Sequence, residues 1–129
     1  MGLPVTEERI AETEAKLGRR LPEGFRTLTK QSNGGTSIKV GRESFEVYAV
    51  WDPTDRKSIG RSANHVIKET ESIYRDLGEY LPAGGVVLAS NAGGDPLIQL
   101  PDGSLAIWSF ETHKVRAAPD VDWDSGMRR

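Results

Sequence analysis

The sequence predicts an α+β fold: a single domain with a mainly antiparallel sheet and helices packed on one face. Helical patterns occupy the first third and the middle of the chain, and short strand patterns fill the last third. Turn motifs between neighbouring strand patterns favour antiparallel pairing. The order lacks the regular strand–helix alternation of a doubly wound sheet. The length of 129 residues matches about one domain.

Two short helices are predicted at the N-terminal end. Thr6 is a typical N-cap residue, and two glutamates follow it where the helix dipole favours acidic side chains. Gly18 is expected to end this first helix. Pro22 suits the first position of a second helix. The Asn-Gly-Gly run at residues 33–35 is expected to end that helix, because these residues tolerate positive φ.

A hairpin and a third helix are predicted in the middle of the chain. Residues 36–40 and 44–51 alternate apolar and polar side chains, as strands do. Residues 52–61 are predicted to form a polar loop. The apolar stripe of residues 62–77 then predicts a third helix, which Gly78 ends.

The last third is predicted to be β-structure. Short strands are expected at residues 86–89, 97–100, 105–110 and 114–117. The Pro-Asp-Gly-Ser run at residues 101–104 is a strong hairpin-turn motif. The domain is therefore expected to span residues 6–118, and residues 119–129 are expected to form a polar, acidic tail that is frayed except at Val121 and Trp123.

Composition and charge argue against several functional classes. The chain has 17 basic and 19 acidic residues, a net charge of −2, and so lacks the basic excess of a nucleic-acid-binding domain. No stretch approaches the roughly 18 apolar residues of a membrane span. The absence of cysteine excludes a disulfide framework and a cysteine nucleophile. No secretory-signal pattern is present, and we expect a cytoplasmic protein that binds neither nucleic acid nor membrane.

Catalytic and metal-binding motifs are also missing from the sequence. The two histidines, His65 and His113, belong to no nucleophile–base–acid pattern. Residues 120–124 imitate the start of a calcium loop, but Ser125 stands where that loop needs glycine. The glycine pairs match neither the Walker loop, which needs a lysine after its glycines, nor the Gly-x-Gly-x-x-Gly motif of dinucleotide-binding proteins. We therefore expect no catalytic residue, no metal and no cofactor.

The charges of the last third have two interpretations. Residues 95–124 carry six acidic and two basic side chains. Such a surface can steer a basic partner protein towards it. A solvated edge that resists strand-to-strand aggregation explains the same charges equally well.

Acidic and aromatic side chains on predicted loops are the candidate partner contacts. Trp51 is one candidate, because exposed tryptophan is a frequent interface hot spot. The alternative is that Trp51 is buried at the sheet edge. Trp108 alternates with its neighbours in a predicted strand and is expected to lie in the core. The candidate contacts are Trp51, Asp52, Asp55, Asp95, Asp102 and Glu111.

Two blocks of the sequence resemble a known family. Residues 10–35 carry Ile-x3-Glu-x2-Leu-Gly-x2-Leu-Pro-x2-Phe-Arg and then Asn-Gly-Gly. A later block has Leu-Pro at 81–82, Gly-Gly-Asp at 93–95 and Ile-Trp at 107–108. In this order, over residues 6–116, they resemble the SUKH superfamily, named in part for the yeast Smi/Knr cell-wall regulators. The matching positions are Leu17, Gly18, Leu21, Pro22, Phe25, Asn33, Gly34, Gly35, Gly94, Asp95 and Trp108.

The resemblance implies an α+β fold, no catalytic activity and a protein partner. Many bacterial members are immunity proteins that bind and block a toxin, often a nuclease or deaminase, and fungal relatives are scaffolds. It predicts a monomeric or homodimeric immunity protein that covers the active site of a basic toxin domain. An interaction scaffold or regulator of cell-wall or signalling type, and less so a small hydrolase with paired carboxylates, remain alternatives. Members usually end in a further helix, whereas this chain continues into Pro119 and the acidic tail.

Overall fold

A computed structural model describes residues 4–127 and places seven strands of that region in one sheet. The strand order is β6-β5-β4-β3-β2-β1-β7, and every pair of neighbours is antiparallel. The predicted α+β class and mainly antiparallel sheet are therefore confirmed. The helices are α1 (Glu7–Leu17), α2 (Glu23–Gln31), α3 (Arg56–Arg61) and α4 (Val66–Leu77). The strands are β1 (Thr36–Val40), β2 (Glu43–Val47), β3 (Val86–Ser90), β4 (Pro96–Gln99), β5 (Leu105–Trp108), β6 (Val115–Ala117) and β7 (Val121–Asp122), and a 3-10 helix, η1, covers Trp123–Gly126.

The first two helices form where the sequence predicts them. Thr6 accepts a hydrogen bond from the Arg9 amide at the start of α1, and Gly18 ends the helix at φ 71°. Pro22 is the N-cap of α2 instead of its first residue. The predicted positive φ is present in the turn that leads from α2 to β1, at Gly34 and its neighbour.

The middle of the chain differs from the prediction. The expected polar loop contains α3, because Asp55 accepts a hydrogen bond from the Ser58 amide at 2.8 Å and so caps a helical turn. α4 begins only at Val66, with His65 as its N-cap. β2 ends at Val47, because the chain leaves the strand and Ala49 forms a parallel bridge with His65.

Two apolar clusters cover the two faces of the sheet. Side chains alternate between faces along a strand, and Val86 and Leu88 belong to the main cluster beneath α1 and α2. Val87, between them, belongs to a second cluster with Trp108, against which α4 packs. We call these the inner face and the outer face. The prediction of helices on one face describes α1, α2 and the start of α4, where Val66 and Ile67 join the main cluster, whereas the rest of α4 packs on the outer face.

The sheet curls strongly around its inner face. Glu43 on β2 and Arg116 on β6 are four strand spacings apart, roughly 19 Å in a flat sheet. Their side chains nevertheless form a salt bridge of 2.5 Å, and Asn91 donates to the same carboxylate at 2.8 Å. This contact joins the turns at one end of the sheet.

Between residues 119 and 127 the chain forms two further short elements. β7 pairs with β1 through Val40↔Val121, and η1 follows. The Trp123 ring packs edge-on against Phe25, with ring centroids 5.9 Å apart. A long-range contact of this kind stabilises a segment whose own composition is too polar to predict order. The expectation for residues 128–129, and for residues 1–3, lies outside the described residues.

Replacing Gly24 with alanine is expected to destabilise the protein by roughly 1–3 kcal/mol, the usual cost of overpacking. A Cβ at Gly24 would lie 2.2–2.7 Å from side-chain atoms of Trp123, including its Cβ. Gly60→Ala, in α3, is the matched control, because a Cβ there meets nothing within 4 Å and alanine favours helix by about 1 kcal/mol. Urea unfolding measures both variants. Equal stabilities would contradict the packing of Trp123 on α2.

Candidate partner-binding surface

The candidate contacts derived from the sequence do not form one surface. The two turns that flank β4 lie at its opposite ends, and the loop before α3 is a third location. Among candidates that are distant in sequence, only Asp95 and Glu111 are brought together, because Asp95 accepts a hydrogen bond from the amide of the residue before Glu111. By location the candidates are Trp51, Asp52 and Asp55 before α3, Asp95 and Glu111 in the β3–β4 and β5–β6 turns, and Asp102 in the β4–β5 turn.

Asp52 is buried and serves the local structure. It is 7% exposed and accepts hydrogen bonds from the Thr54 amide and hydroxyl. The Arg9 guanidinium lies 3.6 Å from it. Beside it, Trp51 is half-buried and its ring centroid lies 5.1 Å from that of His65. Neither side chain is presented as an open contact.

Asp55 and Asp102 are exposed, but each carboxylate is engaged by the backbone of its own turn. The Ser58 amide, then the Ser58 side chain, hold the pKa of Asp55 below its ordinary value. The Ser104 hydroxyl donates to Asp102 at 2.6 Å and its amide at 2.9 Å, and these bonds lower the pKa of Asp102. Both aspartates therefore have a structural role in a turn.

Asp95 fixes two turns to each other. Its backbone and carboxylate lie in the β3–β4 turn, where Asn91 accepts hydrogen bonds from the Gly93 and Asp95 amides. The Asp95 carboxylate accepts a hydrogen bond from the Phe110 amide at 3.0 Å. This bond holds the β5–β6 turn, and with it the Phe110 side chain, beside the β3–β4 turn.

Exposed aromatic side chains cluster on the outer face above Trp108. The His113 ring stacks on Trp108 with centroids 5.2 Å apart and an interplanar angle of 13°. Tyr80 lies 4.6 Å from His113, and Phe110 lies 5.0 Å from Trp108. Tyr80 is 48% exposed and Phe110 is 40% exposed. Val115 is 47% exposed and lies opposite Trp108, on β6. We call the exposed residues Tyr80, Phe110, His113 and Val115 the aromatic patch.

The buried Trp108 positions the aromatic patch. It has no solvent exposure, and its indole N–H donates to the Tyr80 carbonyl at 3.1 Å. The turn that carries Phe110 and His113 folds back tightly, with His113 at φ 59° and its amide bonded to the Ser109 carbonyl. The exposed rings therefore stand on a rigid base.

A groove runs from Phe110 between α4 and the outer face. Its volume is about 340 Å³. Helix α4 contributes two carboxylates, Glu69 and Asp76, and the sheet side contributes Tyr48, whose hydroxyl is bonded to Ser90 at 2.8 Å. Burial raises the pKa of the Tyr48 phenol, and the negative charges of Glu69 and Glu46 raise this pKa further. We call this feature the α4 groove.

Sequence reasoning missed both features. Phe110 falls in a predicted strand, yet β5 ends at Trp108 and the phenylalanine lies in the turn. Glu69 and Asp76 resemble ordinary solvated positions of a helix. The sequence does contain one signal for this groove. Glu69 and Asp76 are seven residues apart, which places both on one side of α4.

The residues that match the family pattern are mostly structural. Asn33 is an example, because its side chain both accepts from the Val50 amide and donates to the Val50 carbonyl at 2.8 Å. Several are buried in the core, and Leu17 packs against it. Others shape turns or helix ends. The core group is Leu17, Leu21, Phe25 and Trp108, and the turn or cap group is Gly18, Pro22, Asn33, Gly34, Gly35, Gly94 and Asp95.

Within residues 4–127, no group of three or more histidine, aspartate or glutamate side chains is placed to hold a metal ion. In the same part of the chain, no helix has the length and apolar character needed to cross a membrane.

Comparison with known proteins identifies one family. The sequence model of the SMI1 / KNR4 family (SUKH-1) matches residues 4–123. The match begins before α1 and ends at the first residue of η1, so it includes the aromatic patch and the α4 groove. A search of curated proteins found no match.

Proposed function

The chain belongs to the SMI1 / KNR4 family (SUKH-1), and from this premise we propose that it is an immunity protein that binds a bacterial toxin and blocks its active site. The family generally comprises non-enzymatic immunity proteins and regulators that bind proteins. Because one fold serves many functions, the choice among them depends on the surface of this chain. We further propose that it acts in the cytoplasm, without a cofactor.

The aromatic patch is the observation that carries this proposal. Tyr80 and Phe110 leave 48% and 40% of their surface exposed, although burial of such rings is strongly favourable. Tyrosine and other aromatic anchors dominate the binding energy of protein interfaces, especially where a rigid surface holds them in place. Buried Trp108 supplies that rigid support.

The neighbouring carboxylates favour a basic partner. Glu69 and Asp76 line the groove beside Phe110. An enzyme that cuts or modifies nucleic acid presents positive charge around its active site, because its substrate is a polyanion. A negative surface next to an apolar anchor would be attracted to that positive active site and would cover it. Inhibition would then be steric and electrostatic.

Co-purification and growth rescue test the proposal. We expect the tagged protein to recover, from its native cells, one stoichiometric partner whose expression alone arrests the growth of a bacterial host. Co-expression of this chain should restore growth. Recovery of several non-toxic regulatory proteins instead would contradict immunity and favour a scaffold.

A patch variant shows whether the aromatic residues carry the binding. Tyr80→Ala with Phe110→Ala is expected to weaken toxin binding by at least about tenfold, as loss of interface hot spots does. Ile59→Ala is the matched control, because Ile59 is equally exposed at 43% but lies on α3, outside the patch. Titration calorimetry measures both. Equal affinities for the two variants would exclude the patch as the interface.

A further inference from the structure

We propose that the α4 groove receives an arginine side chain of the bound protein, whose guanidinium is attracted by the α4 carboxylates and lies against the ring of Phe110. This inference deepens the proposed function and rests on it, because it requires a protein partner. It assigns the partner's chemistry at one subsite.

The dimensions of the α4 groove suit a side chain. Its volume of about 340 Å³ is at the lower end of the range of about 300–1,000 Å³ for small-molecule sites. Its lining includes an apolar base of Ile73, Leu77 and Val87 together with Phe110 of the aromatic patch. An arginine anchored on the patch can therefore lay its methylene stem on the apolar base.

The charge of the groove is negative and is not balanced by its own lining. Glu69 and Asp76 are two turns apart on α4, about 10.5 Å along the axis, and Ser72 lies between them on the same lining. None of the described residues that line the groove is basic. Arg75 lies 4.0 Å from Asp76, but both side chains are more than 70% exposed, and such pairs contribute little.

The ring of Phe110 supplies the second contact. It is 40% exposed and is held from behind by Trp108, at 68° to it. The Asp95 carboxylate fixes the Phe110 amide, and the backbone of Gly94 lies close to the ring. An aromatic ring that lines the same groove as carboxylates favours a planar guanidinium over an ammonium, because the guanidinium can stack on the ring and is less strongly hydrated.

The test uses N-acetyl-argininamide as the probe and the neutral N-acetyl-citrullinamide as its matched control. Amide chemical shifts of the labelled protein are followed by NMR during titration with each. We expect saturable shifts of residues 69–77, 87–95 and 110 with the arginine compound and not with the citrulline compound. Shifts spread over the whole surface, or no saturable shifts, would overturn the proposal.

Variants on one helix separate the groove from general charge effects. Glu69→Gln is expected to raise the dissociation constant of N-acetyl-argininamide about two- to fivefold, the usual effect of one partly exposed ionic contact. Glu71→Gln removes the same charge two residues away, where the side chain does not line the groove, and should leave binding unchanged. Equal losses for both variants would contradict the subsite.

The outcomes distinguish this inference from the immunity function. If a toxin binds wild type and Glu69→Gln equally, the arginine subsite is wrong and immunity stands. If argininamide binds in the groove but the purified partner is not toxic, immunity is wrong and the subsite stands.

Discussion

Trp108→Ala is expected to lower the free energy of unfolding by about 3–5 kcal/mol, the usual range for truncating a buried large aromatic residue. The indole is completely buried in the second apolar cluster, with Val87 and Ile98. It also satisfies the Tyr80 carbonyl through a hydrogen bond of 3.1 Å. The substitution therefore creates a cavity and removes this hydrogen bond.

Urea unfolding of wild type and variant measures this loss. Trp51→Ala is the matched control, because Trp51 is only partly buried and its removal should cost clearly less. A Trp108→Ala variant as stable as Trp51→Ala would contradict the outer-face cluster. Since a loss of this size is a large part of the 5–15 kcal/mol that stabilises a typical domain, the alanine variant can fail to fold.

Trp108→Phe keeps the prediction testable in a folded protein. Phenylalanine keeps most of the apolar volume but cannot donate to the Tyr80 carbonyl, and the loss of this part-buried hydrogen bond costs about 0.5–1.5 kcal/mol. It also changes the support beneath His113 and Phe110. We therefore expect weaker toxin binding in a folded variant, measured by calorimetry, and unchanged binding would contradict the supporting role of the indole.

Local residue chemistry made most of the fold predictable. Caps and turns act within a few residues, so Thr6 at the start of α1 and the glycine turn before β1 follow from the sequence. β7 and η1 do not, because Trp123 is ordered by Phe25, nearly one hundred residues earlier. α3 was missed because its cap, Asp55, resembles a loop residue.

The candidate site was harder to predict than the fold. The charge of acidic loop residues makes them candidate contacts, yet Asp52, Asp55, Asp95 and Asp102 accept hydrogen bonds from neighbouring backbone or side-chain groups. Aspartate is common in turns for that reason. The aromatic patch, by contrast, depends on how far each ring is buried. That property belongs to the tertiary structure and has no local signal.

Glu14→Gln is expected to destabilise the protein by about 1.5–3 kcal/mol, the range for a hydrogen bond to a charged group, because Arg26 keeps its second carboxylate partner, Glu7. Arg26 on α2 is 5% exposed, and its guanidinium binds the Glu14 carboxylate at 3.0 Å. The same carboxylate accepts from the Leu21 amide at 2.7 Å. Glutamine leaves the buried guanidinium without its shielded counter-charge. Urea unfolding at pH 7 measures the loss.

Glu7→Gln is the matched control for this ion pair. Glu7 also binds Arg26, but its side chain is 54% exposed, so water compensates for its removal and the loss should be smaller. The hydrogen bond from Lys30, and then that from Arg26, lower the pKa of Glu7 from 4.5 to about 2. A lowered folded-state pKa means that its contribution is complete above pH 4.5 and is lost as the pH falls through about 2. Wild type and Glu7→Gln should therefore converge in stability over that interval.

The contrast between the two glutamates tests why the N-terminal sequence block has its form. Glu14 and Arg26 lie twelve residues apart, and both are part of the pattern that resembles the family. Their ion pair fixes α1 against α2, which follow each other after a short connection that begins at Gly18. If Glu14→Gln is no less stable than Glu7→Gln, the apolar contacts of Leu21 and Phe25 alone hold these helices together. If Glu14→Gln is less stable by the expected margin, the N-terminal sequence block specifies an ion pair between two helices. We then expect this block to have no direct part in binding. Toxin affinity of the folded Glu14→Gln variant should then be unchanged, because α1 and α2 cover the inner face and the aromatic patch lies on the outer one.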